Sequence, residues 1–271
     1  MTVTETGVDR IGRAFARAKA ERRIAVAIYL TVGYPRPSAT SALLEAALDG
    51  GADVLELGVP FSDPLADGAT VQRASQAALE QGTTLRECIA QARSIVRDRD
   101  ATVVLMGYAN PFIHHGLPAF ARDAAEAGIA GVIVPDLPFE ESAEFDAVLA
   151  PAGLARIDLY APTTPDARLD RLLPGARGFV YCVSLTGVTG ARAVVAGDAG
   201  AFVARVRSRT ALPIVLGFGI STAAHVAALR GIVDGVAVGS AALDVVTASG
   251  DDGPARLRDF VQGLVAAGRQ E

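Results

Sequence analysis

Short apolar runs alternate with amphipathic stretches from residue 24 to the end of the chain. The runs Ile24–Leu30, Val54–Val59, Thr102–Met106, Gly131–Val134, Arg156–Leu159, Phe179–Ser184, Pro213–Leu216 and Gly235–Val238 are rich in Val, Ile and Leu. They lack two-residue alternation, as expected of parallel strands covered on both faces. Helical spacing marks Ser38–Leu48, Thr70–Gln81, Leu85–Asp98, Leu117–Ala127, Glu140–Ala150, Asp166–Leu173, Ala199–Ser208, Ser221–Leu229 and Arg256–Ala267. Asp166 and Ser221 supply helix caps, and Gly50-Gly51, Gly128 and Gly153 fall where helices stop.

Eight such βα units in one run predict a (β/α)8 TIM barrel with an additional N-terminal helix over Val8–Ala20. A doubly wound open sheet usually has about five or six strands, which fits the count less well. No linker or low-complexity segment divides the chain, so residues 1–271 are expected to form a single domain. In a barrel the active site lies on the loops that follow the strand C-termini. The unusual residue clusters fall in those loops.

The second strand carries Glu56, and its loop carries Asp67 after Pro60, Asp63-Pro64 and before Gly68. A carboxylate in an apolar strand is costly unless paired or used, so Glu56 is a candidate general acid or base. Tyr108-Ala-Asn-Pro111 follows the third strand, Pro135-Asp-Leu-Pro138 the fourth, and Tyr181 lies within the sixth. Leu185-Thr-Gly-Val-Thr-Gly-Ala-Arg192 has the composition of an active-site lid. Gly217-Phe-Gly-Ile220 and Gly239-Ser240 end the last two strands. Glycines there let backbone amides approach an anion, and a helix beginning near Ser240 adds its N-terminal dipole. Barrels repeatedly bind phosphate at these two loops.

Composition narrows the chemistry. The net charge of −5, with no basic block, speaks against nucleic acid or an anionic membrane surface. The apolar runs are too short to span a bilayer and no secretory signal is apparent, so a cytoplasmic location is expected. Cys88 and Cys182 read as free buried thiols. His114, His115 and His225 lack the spacing of a metal set, so no metal is expected. Lys19, in the N-terminal helix, is the one lysine, and no barrel strand offers the desolvated lysine that an imine-forming aldolase needs.

The run Leu55-Glu-Leu-Gly-Val-Pro-Phe-Ser-Asp-Pro-Leu-Ala-Asp-Gly68 resembles the signature of the tryptophan synthase alpha chain family. The likeness continues through Tyr29-Leu-Thr-Val-Gly-Tyr-Pro35, Met106–Pro111, Val134–Pro138, Ala161–Pro165, Tyr181–Arg192, Gly217–Ile220 and Gly239-Ser240, covering about residues 8–268 in family order. It implies retro-aldol cleavage of indole-3-glycerol phosphate to indole and D-glyceraldehyde 3-phosphate. By the resemblance Glu56 is the general acid/base, and Asp67 accepts the indole N–H. Phe218, Gly219, Gly239 and Ser240, with Gly190, surround the phosphate. Tyr181 and Tyr108 flank the glycerol and indole, and Tyr29 and Thr189 complete the substrate-binding set. It further implies a beta-chain partner in an alpha-beta-beta-alpha heterotetramer, facing Asp63-Pro64 and Asp136. Pyridoxal phosphate belongs to that partner and no cofactor to this chain. Gly107, His114-His115 and Ala69 depart from the family's usual residues near the indole pocket and partner face. Other readings stay open: a stand-alone lyase releasing free indole, a non-catalytic activator of a beta chain, or a phosphosugar isomerase of related architecture.

Overall fold

The computed structural model describes residues 5–183 and 192–270. One parallel sheet forms its centre. Its strands are β1 (Ala25–Thr31), β2 (Val54–Gly58), β3 (Val103–Met106), β4 (Gly131–Ile133), β5 (Ala155–Ile157), β6 (Leu159–Tyr160), β7 (Val180–Val183), β8 (Ile214–Gly217) and β9 (Gly235–Val238). They lie in the order β5-β4-β3-β2-β1-β9-β8-β7-β6. Residue Asp158 alone separates β5 from β6, so the two ends of the sheet meet through the chain itself and the barrel is nearly closed.

The run expected as one fifth strand is therefore two. Its first part pairs with β4 through Gly131↔Ala155, and its second with β7 through Leu159↔Tyr181. Asp158 takes the step between neighbours: it forms an ion pair with Arg156, and its carbonyl accepts from Tyr181 N at 3.3 Å. Seven of the eight expected strand runs match single strands to within a residue or two at each end. Boundary shifts of that size carry no structural meaning.

Helices cover the outside: α1 (Gly7–Ala20), α2 (Thr40–Asp49), α3 (Ala69–Glu80), α4 (Leu85–Arg99), α5 (Ala109–His115), α6 (Leu117–Glu126), α7 (Ala143–Leu149), α8 (Asp166–Leu172), α9 (Arg192–Arg207), α10 (Ala223–Ala228), α11 (Ser240–Ser249) and α12 (Gly253–Ala267). Thr6 and Asp9 close a capping box on α1, and Thr84 and Glu87 one on α4. Two differences from the sequence reading matter. The loop read after β3 contains α5, whose N-terminal amide, Ala109 N, donates to Asp136 Oδ1 from the β4 loop at 2.9 Å. A seven-residue helix is too short to show a period, and its cap comes from another loop. Helix α9 begins at Arg192 rather than Ala199.

The strands' N-terminal rim is closed by α1. The Phe15 ring packs tilted against Phe179 at 5.6 Å, and Val8 N donates to Gly153 O. Beside it Asp53, just before β2, is 2 % exposed and accepts from Arg23 Nη2 at 2.9 Å, Arg17 Nη2 at 3.1 Å and Val26 N at 2.9 Å. The Arg23 guanidinium is itself buried. Asp53→Ala would leave that buried cation with the exposed Glu21 carboxylate, at 2.7 Å, as its remaining ionic partner among the described residues, so we expect a loss of about 2 kcal/mol or more in urea unfolding. Because the pair lies at the rim opposite the candidate site, the folded fraction should keep its activity.

Candidate active site

Glu56 projects from the middle of β2, 1 % exposed, and its Oε1 has no hydrogen-bond partner among the described residues. The ladders hold it there whatever the cost: β2 is flanked by β1 and β3, with Glu56 opposite Tyr29 on one side and Val104 on the other. Burial pushes its carboxyl up to about 8 from an ordinary 4.5, so the acid stays protonated near neutrality.

Asp67 sits half-buried on the loop that follows β2. Burial raises its carboxyl to about 6, opposed by a hydrogen bond from Tyr108. The loop is fastened at both flanks. Ala66 N donates to the Tyr108 hydroxyl at 2.9 Å, Phe61 stacks on the Tyr108 ring at 5.2 Å, and Gln72 Nε2 donates to Asp67 O at 2.9 Å. Tyr108 in turn precedes α5, which Asp136 caps. Asp136, expected at the partner face, thus also braces the strut that holds the second acid.

Two buried tyrosines are placed near these acids by the same device. Tyr29 on β1 leans over Gly58 of β2, and Tyr181 on β7 leans over Gly217 of β8. In each case the glycine pairs with the residue two beyond the tyrosine, Thr31↔Gly58 and Val183↔Gly217. A β-carbon at either glycine would collide with the phenol oxygen. Both phenols are raised above their usual range, first by burial and then by the charges of Asp67 and Glu56. Both acids therefore act on both tyrosines within one barrel mouth.

The two loops expected to bind an anion adjoin this pair. Phe218 and Gly219, directly after β8, take left-handed φ values of 64° and 80°, and the Phe218 ring meets Tyr181 edge-on at 6.2 Å. A non-glycine residue with positive φ is uncommon and often marks a site. Gly239 precedes α11, whose first residue is Ser240 and whose N-terminus has no side-chain cap among the described residues, a geometry in which first-turn amides can meet an anion. A β-carbon at Gly239 would lie 3.4 Å from Tyr29 Cβ, so this loop and the acid strand share one aromatic neighbour. Thr189, Gly190 and the expected lid Leu185–Arg192 lie outside the described residues, save for the Arg192 backbone, which opens α9.

Among the described residues no group of three or more His, Cys, Asp or Glu is placed to hold a metal ion. His115 pairs with Asp123 at 2.9 Å, and both cysteines are free and buried. Lys19 is exposed on α1, so the barrel mouth offers no amine with which pyridoxal phosphate forms its imine. A separate cavity of about 150 Å³, lined by Pro35, Arg36, Leu43, Val246 and Pro254, includes none of the candidate residues. No helix is long and apolar enough to cross a membrane among the described residues.

Comparison with known proteins decides the family. A model of the tryptophan synthase alpha chain matches residues 15–264. The chain belongs to the tryptophan synthase alpha chain family. It is 49% identical over 259 residues to the tryptophan synthase alpha chain of Roseiflexus sp. strain RS-1, covering 95% of this chain and 99% of that one. The Geobacter sulfurreducens alpha chain is 46% identical over 234 residues, 86% of this chain and 89% of the relative. Among solved structures, Mycobacterium tuberculosis tryptophan synthase matches with a TM-score of 0.89 at 38% identity, covering 97% and 99% of the two chains. The Legionella pneumophila alpha chain matches at 0.87 and 32%, covering 95% and 96%. Membership places this alpha chain among the lyases of tryptophan biosynthesis.

Thr31 and Gly58 escaped the sequence reading. Two-residue periodicity contains the signal: Thr31 shares the inward face with Tyr29, and Gly58 with Glu56. The burial of Glu56 also has a stability signature. Its folded carboxyl holds a proton that the unfolded chain releases above about 4.5, so stability falls as pH rises towards about 8. Glu56→Gln removes that ionisation. Its melting temperature should gain on the wild type progressively between pH 5 and pH 8, by roughly 2 °C or more at the upper end. A constant difference across that range would mean that Glu56 does not titrate there.

Proposed function

We propose that this alpha chain cleaves indole-3-glycerol phosphate to indole and D-glyceraldehyde 3-phosphate, with Glu56 and Asp67 as its acids. One observation carries the reading: two carboxyls face one mouth, one pushed up to about 8 and the other to about 6. At neutral pH the first is protonated and the second ionised. Retro-aldol cleavage needs an electron sink, and a protonated indole ring supplies one from the substrate itself. Glu56 gives its proton to indole C3, and Asp67 holds the N–H of the resulting cation. Glu56, now a carboxylate, takes the proton of the glycerol hydroxyl next to the ring. The carbon–carbon electron pair returns to the ring, neutralising it, while a carbonyl forms on the departing triose. Glu56 ends as it began. The turn Phe218-Gly219 and the N-terminus of α11 bind the phosphate through backbone amides, and Tyr108 and Tyr181 wall the pocket.

The partner is a beta chain, in an alpha-beta-beta-alpha assembly whose pyridoxal phosphate lies in the beta chain. Leu65, 93% exposed on the Asp67 loop, and Ile113, 55% exposed on α5, supply apolar surface at that rim. A catalytically silent activator would have no use for a buried acid and an open anion site. A stand-alone lyase would share both and differ only in its response to the partner.

Indole release from indole-3-glycerol phosphate tests the reading. Glu56→Gln should lower turnover at least ~100-fold while binding glycerol phosphate normally. The free enzyme's kcat/KM should fall below about pH 6, as Asp67 protonates, and above about pH 8, as Glu56 ionises. Near-normal turnover by the Gln variant would remove Glu56 from the chemistry. Titrating beta chain into the same assay should accelerate indole release at least ~10-fold, since docking on the Asp67 loop biases the closed site. Full activity alone, indifferent to the partner, would favour the stand-alone enzyme.

A further inference from the structure

Thr31 Oγ1 donates a hydrogen bond to the Tyr29 phenol oxygen at 3.2 Å, and both residues are buried in the barrel's inner wall. A purely apolar wall would be filled as well by phenylalanine and valine, without the cost of desolvating two hydroxyls. Because the phenol oxygen accepts from Thr31, its own proton is directed elsewhere. Register decides where. Tyr29 pairs with Glu56 and Thr31 with Gly58, and the phenol oxygen lies over Gly58, two residues along the same inward face from Glu56. The donor thus stands on the rim side of the acid whose Oε1 has no partner among the described residues. Burial, and then the neighbouring Asp67 charge, hold the phenol in its protonated form. The base of the same side chain packs on Gly239, where the phosphate end of the substrate is placed.

We propose that Tyr29 is a third catalytic group of this site: its O–H, oriented by Thr31, donates to the glycerol hydroxyl oxygen that Glu56 deprotonates. The inference rests on the cleavage reaction given above. As the hydroxyl proton passes to Glu56 and the carbon–carbon pair moves into the indole ring, negative charge builds on that oxygen before the carbonyl forms. A fixed donor stabilises it there, and Tyr29 keeps its own proton throughout. In the ground state the same oxygen is a neutral hydroxyl and gains less from the donor. The contribution therefore falls on turnover rather than binding. Thr31 touches no substrate and is a positioning residue.

The test compares wild type, Tyr29→Phe, Thr31→Val and the double variant for indole release from indole-3-glycerol phosphate, with beta chain present. Tyr29→Phe should lower kcat at least about tenfold, with KM and the affinity for glycerol phosphate changed less than about twofold. Thr31→Val should lower kcat less, and should add nothing in the Tyr29→Phe background, because it acts only through the phenol. Wild-type turnover by Tyr29→Phe, or a loss confined to KM, would overturn the proposal. Additive losses would overturn the role of Thr31. If the wild type itself released no indole, the cleavage reading would fall and this inference with it. A wild type that cleaves beside an unimpaired Tyr29→Phe would sink only the inference.

Discussion

The parallel register between β1 and β2 is the constraint from which the arrangement of the site follows. Backbone hydrogen bonds place Tyr29 opposite Glu56 and Thr31 opposite Gly58. Neither side chain can leave this layer without breaking the ladder, since a one-residue slip would turn Glu56 out towards the helices. An acid whose Oε1 has no partner among the described residues and a phenol bearing a spare proton are held side by side because the sheet fixes them. That is how a barrel tolerates groups whose burial costs stability.

Around this fixed pair, the other components are attached with different degrees of independence. Tyr181 repeats the Tyr29 geometry three strands away, on β7, again through a glycine on the following strand. Asp67 is on a loop, and it is held by Tyr108, which depends in turn on α5 and on Asp136. One acid is thus set by the sheet and the other by a chain of three loops. A partner that presses on the Asp67 loop or on α5 reaches the second acid without disturbing the first, and the exposed apolar residues Leu65 and Ile113 lie on just those two segments.

The opposite rim carries a different kind of polar group. Asp53 is as buried as Glu56, yet every contact it makes is satisfied, by Arg23, Arg17 and the Val26 amide. The contrast separates structure from chemistry in physical terms. A buried acid with a full set of donors holds the barrel floor, whereas one whose oxygen has no partner among the described residues is a candidate to meet a ligand.

Much of this was legible along the chain. Apolar runs marked the strands and helical spacing the helices, and the glycine and acid clusters fell in the loops where a barrel places its site. Glu56 stood out because an acid interrupts an apolar strand, and the family likeness rested on contiguous motifs. Local signals of that kind survive in sequence because neighbouring residues carry them. What the chain alone left undetermined depends on residues distant in sequence meeting in space. The break of the fifth strand at Asp158, helix α5 with its cap from Asp136, and the Thr31–Tyr29–Gly58 alignment beside Glu56 each require a partner on another strand or loop. The shifts that separate the two carboxyls arise the same way, since they come from burial and neighbours that only the closed barrel supplies. Sequence marked which residues are candidates for the chemistry. Tertiary packing decided which proton each of them holds.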